Sequence, residues 1–319
     1  MNINVFIEIM DKKISPRELS RLHYLFDNDH PDHVWANTIA ILRKINPYYD
    51  FTRLRQFFND AVDVFYGDYK GYQAIRTPYH DLRHTMDVYM CSLRLAHGFH
   101  LEGGALSDDE ITMIGVSALA HDIGYAQTDE EPRGTGAVYT RTHVNRGIEF
   151  MRGYMTQQFW QPTWAPDMEN AILCTNPAIA FPDIEFRSER ARDLARIVGT
   201  ADLVGQMADR AYLEKLLFLY TEFREAEIGG FSNVHDLLAK THEFYAVTKN
   251  KLDKSLGCFY EYLLPHFRDW FNVETNYYMD SIDKNIKYLL RVISESNEQT
   301  LFGNLKRRGI ASKAVTLVS

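Results

Sequence analysis

Cysteine is scarce: three in 319 residues, Cys91, Cys174 and Cys258, far apart and without a CxxC pair. That spacing argues against a disulfide framework and suits a reducing, cytoplasmic setting. Long apolar runs are also missing. The longest, Ile111 to Ala120, is too short to span a bilayer and stops at His121-Asp122. The opening MNINVFIEIMDKK has no basic start followed by an apolar stretch, so no signal peptide is expected. Positive charge is in deficit, with 35 Lys plus Arg against 43 Asp plus Glu and a formal charge of -8. This argues against a nucleic-acid polymer or an anionic membrane as partner, because both select clustered positive charge. Alternating strands with hairpin turns, internal repeats and low-complexity linkers do not occur, so a sheet-based fold is not expected.

What is present is helical. Hydrophobic residues make up 45% of the chain and aromatics 13%, enough for a large core rich in Tyr and Phe. Two capping boxes open helices, Ser15-Pro16-Arg17-Glu18 and Ser107-Asp108-Asp109-Glu110. Apolar spacing near 3.6 predicts helices over 34–45, 53–66, 80–97, 143–158, 188–225, 233–251, 256–271 and 274–295, with 188–225 either one helix or two in succession. Loops are expected at Ala126 to Thr142 and Thr175 to Phe186; the first follows His121-Asp122 directly and is expected to overhang their site as a lid. The organisation expected is a helical amino-terminal region over 1–69, a catalytic domain over 70–295 and a tail over 296–319.

Three stretches carry chemistry. In Tyr79-His80-Asp81-Leu82-Arg83-His84-Thr85-Met86-Asp87, helical spacing puts His80 and His84 on one face with Asp87 able to reach it. His121-Asp122 ends an apolar helix, and Gly124 supplies the break that lets two adjacent side chains converge. Asp202 stands alone in the apolar Gly199-Thr200-Ala201-Asp202-Leu203. His-Asp pairs alone mean little, and His235-Asp236 resembles an ordinary capped helix start. His84, His121 and Asp122 differ because they interrupt apolar helices that have no need of them, and burying such groups unpaired is costly. Two imidazoles and two carboxylates suit zinc, manganese or iron. With Asp122 bridging a second ion and a hydroxide shared between the two, two dications leave a single positive charge, which matches a phosphodiester.

The run YHDLRHTMDV resembles the YHNxxHxxDV signature of class I cyclic nucleotide phosphodiesterases, members of the HD superfamily; ALAHDIG resembles their second metal motif and TADL the segment with their last metal-binding aspartate. The resemblance covers about residues 70 to 210. It implies a compact, all-helical HD-domain bundle holding two divalent ions (Zn, Mn, Fe or Mg). By that likeness His84, His121, Asp122 and Asp202 bind the first ion, Asp122 bridges to the second, and His80 protonates the leaving alkoxide. The family's further histidine, three residues after its HD aspartate, is Tyr125 in this chain. Arg141-Thr142-His143-Val144-Asn145-Arg146-Gly147 instead resembles the HxxxG helix of other HD enzymes, including HD-GYP proteins, which assigns His143 to the second ion. Asp81 replaces the signature asparagine. The family's purine-holding glutamine has no counterpart, since no glutamine lies between Gln206 and Gln299.

Gln206, Arg83 and Arg141, together with Arg133 and Arg146, are the candidates for substrate contact, because guanidinium forks suit phosphate oxygens. Asp87 is expected to orient an imidazole. The reading that results is a phosphodiesterase of a small nucleotide, such as a 3',5'-cyclic nucleotide. Its rivals are a nucleotide phosphomonoesterase or triphosphohydrolase, and a nucleotide-sensing module without turnover. The carboxyl-terminal helices offer a face on which two copies could pair.

Overall fold

The computed structural model describes residues 28–297 and 300–305. The first capping box and the end of the tail fall outside them. Among the described residues there is no strand, only one isolated bridge between Tyr72 and Thr128, and no helix long and apolar enough to cross a membrane. The fold is an all-helical bundle, as the periodicity predicts.

Two helices run through its centre. Helix α3 (Leu82–Leu101) follows α1 (Pro31–Ile45) and α2 (Thr52–Tyr66), and every residue from His84 to Phe99 is buried. Helix α4 (Asp108–Ala120) is buried from Ile111 onward and opens on the Ser107–Glu110 capping box, with both reciprocal bonds made. A helix apolar on all sides must be enclosed on all sides. Accordingly α3 packs on α1, α4, α7 (Glu189–Ala208) and α10 (Leu263–Phe271), while α2 lies on α4. The amino-terminal helices are thus packed on the core that carries the site motifs. Around this centre stand α5 (His143–Gln157), α6 (Ala165–Leu173), α8 (Tyr212–Glu225), α9 (Val234–Asn250), α11 (Tyr277–Glu295) and the short α12 (Leu301–Asn304).

Several boundaries differ from the periodicity. The stretch 188–225 is two helices, because Asp209 leaves the helical region and its Oδ1 accepts from Ala211 N at 3.0 Å. The segment expected from 256 becomes regular only at Leu263, after Cys258 at φ 59°. Helix α6 was not expected; Pro166 starts it, and nine residues are too few for a clear period. His235-Asp236 is a capped helix start, with Asn233 accepting from Asp236 N at 2.8 Å.

Helices α3 and α10 meet through a buried histidine pair. His97 Nδ1 and His266 Nδ1 are 2.9 Å apart, and His266 stacks on Trp270. Burial pushes His97 down to about 4 and His266 well below its ordinary range. A histidine harder to protonate when folded leaves stability full above about pH 6.5. Stability then falls as pH drops from about 6.5 to 4, because the unfolded chain takes the proton first. Between pH 7.0 and 4.5 the share of His97 alone is about 2–3 kcal/mol, so urea unfolding of His97→Gln should show a loss smaller than that of wild type by this amount; parallel losses in both chains would reject this assignment.

Candidate metal centre

The site lies where α3, the end of α4, the start of α5 and the last turns of α7 meet. Helix α3 begins only at Leu82, because Asp81 is its N-cap and accepts from His84 N at 2.8 Å. The carboxylate that replaces the signature asparagine therefore serves the helix. His80 lies before the cap, so it does not share a helical face with His84. It enters from the preceding segment, with its ring 5.6 Å from that of His84 and perpendicular to it.

His121 is the C-cap of α4, and Asp122 precedes the 3-10 turn Ile123–Tyr125. That turn redirects the chain so that both side chains face one point. It is possible because Gly124 has no side chain: a Cβ there would fall 1.8 Å from His143 O and 2.7 Å from Gly147 N. On the opposite wall, Gly205 of α7 lets that helix approach α3, where a Cβ would lie 3.3 Å from Asp87 O. Asp202, one turn earlier, is thereby brought to His84.

Four donor atoms converge. Asp122 Oδ2 is 3.3 Å from His84 Nε2 and 3.2 Å from His121 Nε2. Asp202 Oδ1 is 3.6 and 3.8 Å from the same nitrogens, which are 3.4 Å from each other. His84, His121 and Asp122 are buried, and their donor atoms lie within 4.8 Å of one another. Four ligands about 2.1 Å from a zinc-like ion in tetrahedral array would be spaced about 3.4 Å apart. Two further observations bear on that fit. His121 Nδ1 donates to Ala118 O at 2.7 Å, which in the neutral ring leaves Nε2 a bare lone pair facing the carboxylates. Asp122 Oδ2 is buried between two imidazoles at 3.2–3.3 Å but makes no well-aligned hydrogen bond to either. A buried, unbonded carboxylate oxygen beside an imidazole lone pair is unfavourable unless a cation lies between them. The residues fit a metal ion.

The electrostatics agree. Burial would lower His84, but Asp122 and Asp202 outweigh it and raise it to about 10; His121 is raised for the same reasons. Burial would raise Asp122, yet the surrounding imidazoles hold it well below the ordinary carboxylate range. The cluster demands positive charge, from protons or from metal.

His143, the first residue of α5, faces the other oxygen. Its Nδ1 donates to Thr140 O at 2.8 Å, and its Nε2 lies 3.5 Å from Asp122 Oδ1. Burial lowers its pKa below the ordinary imidazole value, only partly opposed by Asp122. Asp122 thus presents one oxygen to His84 and His121 and the other to His143, the disposition of a bridging ligand. Tyr125 stands where the resemblance puts a histidine. Its ring packs nearly parallel to His80 at 4.8 Å and to His143 at 4.4 Å, and the two imidazoles are themselves 6.1 Å apart, so it is a buried apolar support beside both.

Glu222 on α8 was not anticipated. Its buried carboxylate meets His80 Nδ1 at 2.5 Å and accepts from Tyr79 N at 2.6 Å. Two glutamates of α8, Glu214 and Glu222, are buried beside Tyr212, Leu213, Leu216 and Leu217, and nothing local in the sequence singles out Glu222.

Other expected residues have different partners. Asp87 accepts from Asn28 at 2.7 Å and lies 3.8 Å from Arg83, with no bond to an imidazole among the described residues, so it does not orient one. Gln206 donates to Asp202 Oδ1 at 3.3 Å while its Oε1 accepts from Tyr79 OH at 2.7 Å; it braces Asp202, and both ends of its amide are occupied. Arg83 is engaged by Asp29 and flanked by Asp87 and Asp209. Arg133 and Arg141 are exposed, and Arg141 reaches Glu227 O at 3.4 Å. Arg146 fastens the 126–142 loop: it donates to Gly124 O and Ala126 O and grips Glu131 at 3.0 Å. Gln73 and Glu225 tie the same loop at Thr128 and Thr135, so it is a fastened wall.

A family model described as Npun_R2479-like matches residues 129–259, a span that holds His143, Asp202 and Glu222 but not His80, His84, His121 or Asp122. No curated protein and no solved structure matches the chain.

Proposed function

We propose that the chain is a metal-dependent phosphohydrolase acting on a phosphodiester of nucleotide size. The observation that carries this reading is Asp122, whose two oxygens face separate imidazole sets, one of them buried without a hydrogen bond. His84, His121, Asp122 and Asp202 would hold one divalent ion, and His143 with the second oxygen of Asp122 another. Bound there, such ions supply a nucleophilic water at neutral pH and neutralise phosphoryl charge.

The protein's own groups support the remaining steps. Asp202 is held by Gln206, and His121 and His143 are each fixed by an Nδ1–H bond to a carbonyl, which keeps the lone pairs on the metal side. His80, held at Nδ1 by Glu222, is the group available to protonate a departing alkoxide. The substrate's charge follows from the lining. No Lys or Arg pairs with any of the donor carboxylates among the described residues. A diester with one negative charge is matched by two divalent ions held by the two carboxylates and a hydroxide.

The test loads the chain with manganese or zinc and compares bis(p-nitrophenyl) phosphate, p-nitrophenyl phosphate, 3',5'-cyclic nucleotides and nucleoside triphosphates. The expected order places diesters at least about tenfold above monoester and triphosphate in kcat/KM, about 1.4 kcal/mol of transition-state binding. Preference for triphosphates would replace the diesterase reading. Bound metal without turnover across the panel would leave a nucleotide-sensing domain.

A further inference from the structure

Two largely buried ionisable groups take no part in the chemistry proposed above. Lys215 lies in the first turn of α8, and Asp209 sits at the corner where α7 gives way to it. Lys215 Nζ meets Asp209 Oδ2 at 2.8 Å, with both side chains mostly covered. Burial would lower Lys215, but Asp209, Asp81 and Asp87 outweigh it and raise its pKa above the ordinary lysine value. An apolar pair of similar volume would hold two helices about as well, so what the ion pair adds is direction.

The pair is not confined to the corner. Arg83, next to His84 in the first turn of α3, brings Nη2 to 3.9 Å from Asp209 Oδ1. The corner itself is fixed, because Asp209 Oδ1 accepts from Ala211 N at 3.0 Å and its carbonyl accepts from Asn285 of α11 at 2.8 Å. Two turns further along α8, about 10 Å from Lys215 and on the same face, Glu222 meets His80. Helix α8 is therefore tied to the short 80–83 stretch at two points, through charged groups at both. The apolar contacts of Leu213, Leu216 and Leu217 bury the helix without fixing its slide, since burial is non-directional. Two polar ties set both its slide and its rotation.

We infer, resting on the phosphohydrolase reading for the role of His80, that Lys215 and Asp209 are positioning residues for the His80–Glu222 pair. They hold α8 at the height from which Glu222 reaches Nδ1 of His80.

The experiment uses the full chain carrying Lys215→Met with Asp209→Asn. This replaces both charges with neutral groups of similar volume and keeps an acceptor for Ala211 N. In histidine-labelled wild type without metal, the Nδ1-bound proton of His80 is expected far downfield in the NMR spectrum, as a short bond to a carboxylate produces, and its absence in His80→Ala assigns it. In the double variant that signal should move upfield or broaden away, while bound metal and melting temperature stay near those of wild type. With manganese, the double variant should lose about ten- to a hundredfold on a diester with an alkoxide leaving group, the range of a misplacement of about 1 Å. On bis(p-nitrophenyl) phosphate it should lose less than about threefold. Arg83→Gln loosens only the α3 end of the tie and should show the same pattern at smaller amplitude; it carries the test if the double variant does not fold. An unmoved His80 signal, or equal losses on the two esters, would overturn the inference. If wild type turns over neither ester, the phosphohydrolase reading falls, and the His80 signal alone decides whether Lys215 and Asp209 place Glu222.

Discussion

Replacing Asp122 with Ala is expected to strip the protein of divalent metal and to lower hydrolysis of a phosphodiester by at least about a thousandfold, about 4 kcal/mol of lost transition-state stabilisation. Each oxygen of this carboxylate faces a different imidazole group, at 3.2–3.3 Å and 3.5 Å, so no other single change removes a donor from both halves of the site. Elemental analysis of wild type and variant, purified identically without a histidine tag, should give one or two transition-metal equivalents per chain in the first and almost none in the second. Stability supplies an independent measure. Metal that binds only the folded chain stabilises it by about 2.7 kcal/mol at a hundred times Kd. Added manganese or zinc should therefore raise the melting temperature of wild type and leave the variant unmoved. Asp122→Asn separates charge from shape, since its amide fills the same space but cannot supply an anionic bridge. Full metal content in either variant would reject the centre as assigned.

The next largest effect is expected at His80. His80→Ala should reduce turnover of a diester with an alkoxide leaving group by about a hundred- to ten-thousandfold, the usual contribution of a positioned general acid. A p-nitrophenyl diester, whose leaving group needs no proton, should lose less than about tenfold. Glu222 acts through His80: it holds Nδ1 at 2.5 Å and the backbone of Tyr79 and His80 with its other oxygen. Glu222→Gln should show the same dependence on leaving group at smaller amplitude. The double variant should be no worse than His80→Ala alone, because two residues acting as a unit are not additive. Equal losses on both esters would remove His80 from the proton-transfer role, and additive losses would separate Glu222 from it.

The all-helical class and most helix positions were legible in the residues. Apolar spacing near 3.6 and the Ser107–Glu110 box are local signals that survive in any tertiary setting, and both are found where the pattern puts them. His84, His121 and Asp122 were legible because polar groups interrupt otherwise apolar helices, a conflict that only a partner resolves. The direction of neighbouring side chains was not. Whether His80 shares a face with His84 depends on where α3 begins, and one capping bond from Asp81 places that start after His80. Asp87 could have faced the imidazoles by spacing alone, but Asn28, 59 residues away, takes it elsewhere.

Glu222 shows the same limit from the other side. It meets His80 across 142 residues, and no local period encodes such a contact. The sequence by itself determined which segments are helical and which side chains are too polar for their surroundings. Only the tertiary structure decided which of them meet, because a donor's partner is set by where α7 packs on α3 and α4, where α5 starts, and where α8 meets the segment before α3. Two of these approaches rest on glycine: at Gly124 a Cβ would collide with His143 O of α5, and at Gly205 one would press on Asp87 O of α3.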